Sequence, residues 1–411
     1  MLPKKLKVVF SILFVLLLLV VCMIAGVYVG YNYVLSQEER FSTLQAGIDD
    51  GSFKVDMNTE GAIPFVIRNG DMTSDIADSL HELGLIDNTF MFSLLSKVNG
   101  FDGAYQAGTH YLLPGLDYDE IMFLLTQKSE SVTVTFPEGL TYEEIKIRLH
   151  EAGLTFSDEE MDECMDSPNL FTDYRFVSQI SLTEGRDHVL SGYLFPDTYE
   201  FDINASPETS LSTMLNNTDN KLYDEYYERA AALNMSMDQI MTLASIIQSE
   251  SSSLTDMMYV SSVFRNRMNS DDESLHYLGS DATINFIRRM NGLDPTLNIT
   301  ANDLALDSPY NTYTHQGLPP GPICMPGVDA IQAALYPEPN SNYLYFCSDG
   351  LGGTLFAVTL SEHENNVAIY EANVAAAAAA AAEGQTLVTE ETAETEETDL
   401  ATYNPDTGTT G

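Results

Sequence analysis

One glutamate, Glu250, has the surroundings that acid–base chemistry needs. It ends the run LASIIQSE, in which Leu243, Ala244 and Ile247 recur at helical spacing. At about 100° per residue, Glu250 lies at the edge of the apolar face that they form. Lost solvation and the nearby carboxyl end of the helix both disfavour the anion, so they raise the pKa of the carboxyl toward that of a general acid. The same position also suits a glutamate that only reaches for water at the end of a core helix.

The element that must position Glu250 has a recognisable start. Ser236 followed by Gln239 is the pattern of a capping box, which predicts a helix beginning there. A second helix is predicted from Asp256 or Met257 to Met268. Both helices belong to an expected mixed α/β domain at residues 206–370, which would carry the chemistry.

Most other kinds of catalytic site are not indicated. The sequence has no Gly-rich phosphate loop, HExxH, GxSxG, CxxC or paired Cys and His, and its seven histidines are scattered. We therefore expect no metal and no cofactor. Cys324 and Cys347 either pair or remain buried thiols.

The N-terminus predicts a membrane anchor. Lys4, Lys5 and Lys7 precede an uncharged run from Val8 to about Val34, and the helix over residues 8–29 would be roughly 33 Å long, enough to cross a bilayer. Because the positive residues come first, we expect a single-pass cell-membrane protein with a cytoplasmic N-terminus and an extracytoplasmic body. The net charge of −43 argues against nucleic acid as a partner.

The chain of 411 residues has room for two or three domains, and its pattern indicates an α+β fold. The expected segments are a cytoplasmic start and transmembrane helix (1–34), a stalk (35–60), two small strand–helix modules (61–130, and 131–205 with a linker), the catalytic domain (206–370), and a poly-alanine and acidic disordered tail (371–411). The modules share one plan, strand, helix and then Gly-Leu, and would serve either to bind a ligand or as a spacer.

Several local patterns predict further elements. A long helix starts at Ser206-Pro207 and runs through Tyr226, and Ser280–Thr283 forms a strand-like stretch. Residues 307–323 are too rich in Pro and Gly for a helix or a central strand. Glycines at 350–353 predict a hairpin between Tyr343–Ser348 and Thr354–Val358.

Six motifs, in the same order, resemble the YceG-like (MltG) family of membrane-anchored endolytic murein transglycosylases. They are SGYLFPDTYEF, LASIIQSE, VSSVFRNRM, SDAT, SPYNTYTHQGLPPGPIC and YLYFCSDG. The resemblance covers about residues 60–370 and includes modules similar to LysM repeats. This chain departs from the family pattern at Gln248, where many members have Glu, at Gly279-Ser280-Asp281-Ala282-Thr283, where Gln-Ser-Asp-Pro-Thr is usual, and at Ser191, often Glu.

The resemblance implies cleavage of the glycosidic bond after N-acetylmuramic acid within a glycan strand. Glu250 would protonate the leaving oxygen and then, as a base, take the proton of the muramyl C6 hydroxyl, which closes on C1 to leave a 1,6-anhydro end. The implied substrate-binding residues are Ser280, Asp281, Thr283, Tyr310, Asn311 and Thr312. Asn can pair with an acetamido group, and Tyr can stack on a sugar. The implied partners are peptidoglycan strands, the membrane and, as candidates, peptidoglycan synthases.

Several alternatives stay open. The chain could be a non-catalytic peptidoglycan-binding or division scaffold in which Glu250 is structural. It could also be a glycoside hydrolase that uses Glu250 with Asp281, since hydrolysis takes two carboxylates. Asp281 could instead only cap a turn, and the 308–313 loop could be merely rigid. Arg267, on an apolar stripe, would form an internal ion pair or bind a peptide carboxylate.

Overall fold

The computed structural model describes residues 4–68 and 70–382; most of the predicted acidic tail, residues 383–411, lies outside them. The chain divides into two compact units. The first comprises residues 1–245 with 320–328, and the second comprises residues 246–319 with 329–411. Both units contain helices and strands, so the fold is mixed α and β, as predicted.

The first helix, α1 (Lys4–Asp49), is unbroken over 46 residues. It is long and apolar enough to cross a membrane, and its large side chains from Phe14 to Tyr31 are exposed. The predicted stalk begins as a continuation of this helix. Arg40 forms ion pairs with Asp117 and Asp119 of the first module, the second with an N–O distance of 3.3 Å.

The first module follows the predicted plan. It contains β1 (Ile63–Ile67), α2 (Thr73–Glu82), α3 (Thr89–Asn99), β2 (Gly108–Leu112) and α4 (Tyr118–Leu125). The strands pair antiparallel with Phe65 opposite His110. Leu80, Phe92, Leu112 and Ile121 are fully buried in the core that the helices close.

The second module repeats the strand–helix start and is completed later in the chain. It contains β3 (Ser131–Thr135), α5 (Tyr142–Glu151), α6 (Asp158–Met165) and β4 (Thr198–Asp202), with two 3₁₀ turns at Pro168–Phe171 and Arg175–Gln179. β3 pairs antiparallel with β4, Val134 opposite Tyr199. The motif around Tyr193 therefore leads directly into a strand of this module.

The predicted long helix after Ser206 is two helices, and the prediction of one was wrong. They are α7 (Pro207–Lys221) and α8 (Asp224–Ala232). Leu222 has ψ 80° and Tyr223 has ψ 155°, both outside the helical region. Asp224 and Glu225 then start α8 with negative charge at its positive end. The apolar spacing continues across the break, so the sequence pattern did not predict that the helix ends there.

The glutamate helix, α9 (Met237–Glu250), starts as predicted. Ser236 and Gln239 exchange backbone–side-chain hydrogen bonds of 2.9 and 3.2 Å, the capping box. The predicted apolar face at Leu243, Ala244 and Ile247 is fully buried. The boundary between the two units falls within this helix, after Ser245.

Two contacts within the first unit fix the start and the middle of α9. Asp238 accepts hydrogen bonds of 2.9 and 3.1 Å from Arg186 and one of 3.0 Å from the Tyr193 hydroxyl. Both members of the ion pair are buried, with 3% and 4% of their side chains exposed. Farther along, the Ser245 hydroxyl accepts from the Ile323 amide at 3.0 Å. The Pro-Gly-rich segment thus holds the helix that carries Glu250.

The second unit surrounds the end of α9 with short helices and a hairpin. Its elements are α10 (Leu254–Met268), α11 (Asp281–Met290), α12 (Ala301–Leu304), α13 (Val328–Leu335), β5 (Tyr345–Ser348), β6 (Thr354–Ala357) and α14 (Leu360–Ala382), with a 3₁₀ turn at Glu273–His276. β5 and β6 form the predicted antiparallel hairpin, and α14 packs on it. The poly-alanine run extends α14 to Ala382.

The prediction of a strand-like stretch at Ser280–Thr283 was wrong, because these residues start α11. Ser280 is the N-cap, with extended backbone (φ −90°, ψ 123°), and Asp281 is the first helical residue. Gly279, with φ +61°, turns the chain just before it. A cap and a strand share extended backbone angles, so the four letters SDAT did not distinguish the two.

Candidate active site

Glu250, the last residue of α9, is held by the start of α11. Its Oε1 accepts a hydrogen bond of 2.5 Å from the Ser280 hydroxyl. The backbone amide of Ala282 donates to the same carboxyl. Two donors from one helix end therefore fix the orientation of the carboxyl and leave one face of it toward the cleft.

Burial raises the pKa of Glu250 to about 7. The charge of Asp281 raises this pKa further, whereas the donors at Ser280 and Ala282 lower it. Desolvation dominates, in the direction that the helical pattern predicted. A carboxyl with a pKa near 7 is populated in both protonation states at neutral pH, so it can give a proton and take one back.

Glu250 opens into a cleft of about 810 Å³ whose described walls all belong to the second unit. The end of α9, the turn at 278–282, Arg267 of α10, Tyr313, the β5–β6 hairpin and α14 line it. Its volume is within the range of about 300–1,000 Å³ that is usual for small-molecule sites. Its walls are mixed polar and aromatic, which suits a sugar better than a purely apolar ligand.

Asp281 and Tyr313 face this cleft together. The Tyr313 hydroxyl donates to Asp281 Oδ1 at 2.6 Å. Burial and then the neighbouring Asp281 carboxylate raise the pKa of Tyr313, so the phenol stays protonated. Asp281 was expected either to take part in the site or only to cap a turn, and its side chain lines the cleft. Tyr313 was missed from the sequence, although it lies in the motif SPYNTY.

Ser280, Thr283 and Thr312 form a buried layer under the carboxyl. The Ser280 amide donates to Thr312 Oγ1 at 3.0 Å, and the hydroxyls of Thr283 and Thr312 lie 2.9 Å apart. Each of the three residues is at most 2% exposed. The structure therefore brings them to Glu250, but Thr283 and Thr312 lie behind the cleft surface.

Tyr310 and Asn311 were expected to line a sugar site, and the structure places them elsewhere. Both are fully buried. Asn311 donates to the carbonyls of Leu304 and Leu306 at 3.0 and 2.8 Å, and the Tyr310 ring packs on Phe286 with centroids 4.8 Å apart. Their polar and aromatic groups are used to build the loop that presents Tyr313.

Arg267 was expected to form an internal ion pair or to bind a peptide carboxylate. Its guanidinium instead donates to the backbone carbonyls of Leu275, at 3.2 Å, and Tyr277, at 2.7 Å. It lines the cleft, where burial lowers its pKa. The position of Arg267 on a helical stripe did not decide between an ion pair and a contact with a ligand.

One group outside the cleft has metal-binding side-chain types close together. The ligand atoms of Glu143, Asp162 and His188 lie within 4.8 Å of one another. Lys146 donates to Glu143 at 3.2 Å and to Asp162 at 2.8 Å. Its ammonium already supplies the positive charge there, so the arrangement fits an internal ion-pair cluster. All four cysteines are free thiols.

Two proteins that are similar to this chain share the name endolytic murein transglycosylase. The endolytic murein transglycosylase of Streptococcus pneumoniae D39 is 28% identical over 365 residues, covering 84% of this chain and 62% of the relative. That of Bacillus subtilis 168 is 29% identical over 317 residues, covering 75% of this chain and 85% of the relative. The chain thus spans less than two thirds of the streptococcal relative.

A solved structure and the model of a protein family also match this chain. The crystal structure of a YceG-like protein from Listeria monocytogenes is 30% identical, with a TM-score of 0.50, and covers 75% of this chain and 99% of that one. The model of the YceG-like family matches residues 65–369, which is more than half of the chain. The resemblance drawn from the motifs is therefore confirmed, and the chain belongs to the YceG-like family.

Proposed function

We propose that this chain is a lytic transglycosylase that cleaves glycan strands of peptidoglycan at internal bonds. The observation that carries the proposal is a single carboxyl with a pKa of about 7, fixed by two donors in a cleft of about 810 Å³. The names of the streptococcal and bacillar relatives support peptidoglycan as the substrate.

The reaction would use Glu250 twice. Protonated Glu250 gives its proton to the glycosidic oxygen as the bond between muramyl C1 and that oxygen breaks. The carboxylate then removes the proton from the muramyl C6 hydroxyl, whose oxygen bonds to C1. The acid is regenerated, no water is consumed, and the new end is a 1,6-anhydro sugar. The Ser280 hydroxyl on Oε1 would leave Oε2 for both transfers.

Asp281 and Tyr313 would act on the charge that develops at C1. An oxocarbenium-like transition state carries positive charge, and the Asp281 carboxylate faces the same cleft as Glu250. The Tyr313 hydroxyl fixes that carboxylate through the 2.6 Å hydrogen bond. Of the residues implied by the resemblance, we assign Asp281 to the substrate surface, and Ser280, Thr283, Tyr310, Asn311 and Thr312 to support of the site.

A second candidate is a hydrolase that uses both carboxylates. The effect of Asp281 on the pKa of Glu250 favours it, because the two groups are close enough to interact. Against it, the Asp281 carboxylate is already engaged by Tyr313. In a non-catalytic scaffold, the raised pKa of Glu250 would serve no function.

The deciding experiment incubates the full-length protein with uncross-linked glycan strands and measures the new ends by mass spectrometry. We expect anhydro-muramyl ends from the wild type, none from Glu250→Gln, and anhydro ends at a reduced rate from Asp281→Asn. New ends that are heavier by one water with the wild type and absent with Asp281→Asn would establish the hydrolase. Intact strands with the wild type would favour the scaffold.

We further propose that α1 anchors the chain in the cytoplasmic membrane through residues 8–29, with the cleft on the extracytoplasmic side. The support is the length and apolarity of α1, together with Lys4, Lys5 and Lys7 before the apolar run. Peptidoglycan lies on that side of the membrane, so this orientation would bring the cleft to its substrate.

A further inference from the structure

The cleft contains a cationic group that the proposed chemistry does not use. Arg267 of α10 lines the same cleft as Glu250, and among the described residues of its walls it is the one permanently charged cation. A guanidinium has five N–H donors. The Nε donor and one Nη2 donor of Arg267 bind carbonyls of Leu275 and Tyr277, which leaves three donors over.

No carboxylate of the described residues neutralises this guanidinium. The acids that line the cleft have other contacts: Glu250 with Ser280, Asp281 with Tyr313, and Asp256 with Thr354. A half-buried guanidinium without an ion pair is unfavourable in the free protein, and burial lowers its pKa accordingly. Such an arrangement is stabilised when a ligand brings the anion.

Tyr345 and His363 lie beside Arg267 and line the same cleft. The Tyr345 ring of β5 lies with its centroid 5.7 Å from the guanidinium, and the His363 ring of α14 stacks on Tyr345 at 5.4 Å and 22°. His363 Nδ1 is buried and has no hydrogen-bond partner. Burial and the charge of Arg267 lower the pKa of His363, so its imidazole is neutral near pH 7 and one tautomer can donate from Nδ1.

The position of this group relative to Glu250 follows from the turn at Gly279. A methyl group on Gly279 would lie 3.9 Å from Arg267 Nη2 and 3.7 Å from Tyr313 Cε1. The next residue, Ser280, donates to Glu250. The short turn Gly279-Ser280 therefore lies between the guanidinium and the Glu250 carboxyl, and both groups line the same cleft.

We propose that Arg267, with Tyr345 and His363, forms a subsite that binds a carboxylate of the glycan substrate. The subsite rests on the proposed function, because that function supplies the anion. The carboxylate has two possible sources: the stem peptide, or the lactyl group of a muramyl residue without its peptide. A guanidinium fork holds either in two parallel hydrogen bonds.

Strand binding tests the subsite without any cleavage. All measurements use the full-length Glu250→Gln protein and short fluorescent strands in four forms: with stem peptides, stripped of them by an amidase, and each of these with its carboxylates converted to amides. The readout is the ratio of Kd for the amidated strand to Kd for the free-carboxylate strand. Because both Kd values come from one preparation, the fraction of folded protein cancels.

We expect free-carboxylate strands to bind about tenfold or more tightly than amidated ones. The added Arg267→Gln change should bring the ratio close to one, and Arg267→Lys should give an intermediate ratio, because lysine keeps the charge but lacks the fork. The matched control is Arg265→Gln, two residues away on the same helix and outside the cleft walls, which should retain the full ratio. If strands with stem peptides bind more tightly with free carboxylates than with amides, the stem peptide supplies the carboxylate. If stripped strands do so, the lactyl group supplies it.

Equal Kd values for free and amidated strands, or a full ratio retained by Arg267→Gln, would overturn the subsite. Cleavage by the wild-type protein is measured separately. The subsite fails alone if strands are cut but bind without discrimination, and the proposed function fails alone if they bind with discrimination but are never cut.

Discussion

At the scale of single residues, Glu250 combines two opposed influences on one proton. Burial stabilises the protonated form, whereas the donors at Ser280 and Ala282 stabilise the carboxylate. A carboxyl with only the first influence would be a poor base, and one with only the second a poor acid. Their balance at a pKa of about 7 suits the double role of acid and base that we propose for Glu250.

The rate should therefore depend on pH through Glu250. In the proposed mechanism protonated Glu250 starts the reaction, so we expect kcat/KM on glycan strands to fall about tenfold per pH unit above a midpoint near pH 7. Ser280→Ala removes a donor to the carboxylate and should move that midpoint upward. Ser262→Ala, also a buried serine of the second unit, is the control and should leave the midpoint unchanged. A midpoint near 4.5 in the wild type would contradict this account.

The same shift predicts the pH dependence of stability. Folding raises the pKa of Glu250 from 4.5 to about 7, so its contribution is fully present below pH 4.5 and is lost as the pH rises through 7. Denaturant unfolding should show Glu250→Gln to be more stable than the wild type by about 3 kcal/mol at pH 8 and nearly equal to it at pH 4. A difference independent of pH would rule out the titration of this carboxyl as the cause.

At the scale of elements, the site depends on where two helices end and begin. α9 brings Glu250 at its last residue, and α11 brings Ser280, Asp281 and the Ala282 amide at its first turn. Neither helix contains the site by itself. The turn at Gly279 sets where α11 begins, and the contacts of Asp238 fix the start of α9.

Gly279→Ala tests the turn. Gly279 has φ +61°, where an alanine costs about 1 kcal/mol. The matched control is Gly292→Ala, with φ +70° beyond the other end of α11 and open space around its Cα. Thermal unfolding should show a similar loss of stability in both variants, but only Gly279→Ala should lower kcat, by about tenfold or more. Equal activities would mean that the turn does not position Ser280.

Arg186→Met tests the anchor of α9. It leaves the buried Asp238 carboxylate without its bidentate partner, which should cost about 3 kcal/mol in denaturant unfolding. The control pair is Arg175–Asp224, whose side chains are 51% and 92% exposed, so Arg175→Met should cost less than about 1 kcal/mol for the ion pair. Similar losses in the two variants would show that burial does not set the strength of the anchor.

At the scale of the whole molecule, one long helix and a strongly acidic body are joined in a single chain. α1 carries apolar side chains into solvent along Phe14–Tyr31, which is costly in water and favourable in lipid. The net charge of −43 repels the body from anionic surfaces. Both features fit the proposed role of α1 as the anchor, because an acidic chain has no electrostatic attraction to an anionic membrane surface.

The absence of tryptophan from the sequence provides a direct test of the anchor. Ile24→Trp, in α1, creates a single tryptophan at the expected depth of the bilayer. In vesicles with brominated acyl chains we expect its fluorescence to be strongly quenched. Leu182→Trp, at a position that is 72% exposed in the first unit, is the control and should keep its fluorescence. Equal fluorescence in brominated and ordinary vesicles for Ile24→Trp would argue against a membrane-spanning α1.

The sequence by itself determined whatever depends on neighbours along the chain. Helical spacing located α9 and its buried face, the capping box located its start, and glycines located the β5–β6 hairpin. The raised pKa of Glu250 could be predicted for the same reason, because burial of a residue at the edge of an apolar stripe is a local property.

Only the tertiary structure decided which side chains face the cleft. In the loop 308–313, Tyr310 and Asn311 are fully buried while Tyr313 binds Asp281, although all three are polar or aromatic residues in one motif. Arg267 could satisfy its donors with carbonyls or with a carboxylate, and its helix pattern was the same in either case. These choices depend on contacts between segments far apart in the chain, which no local period records.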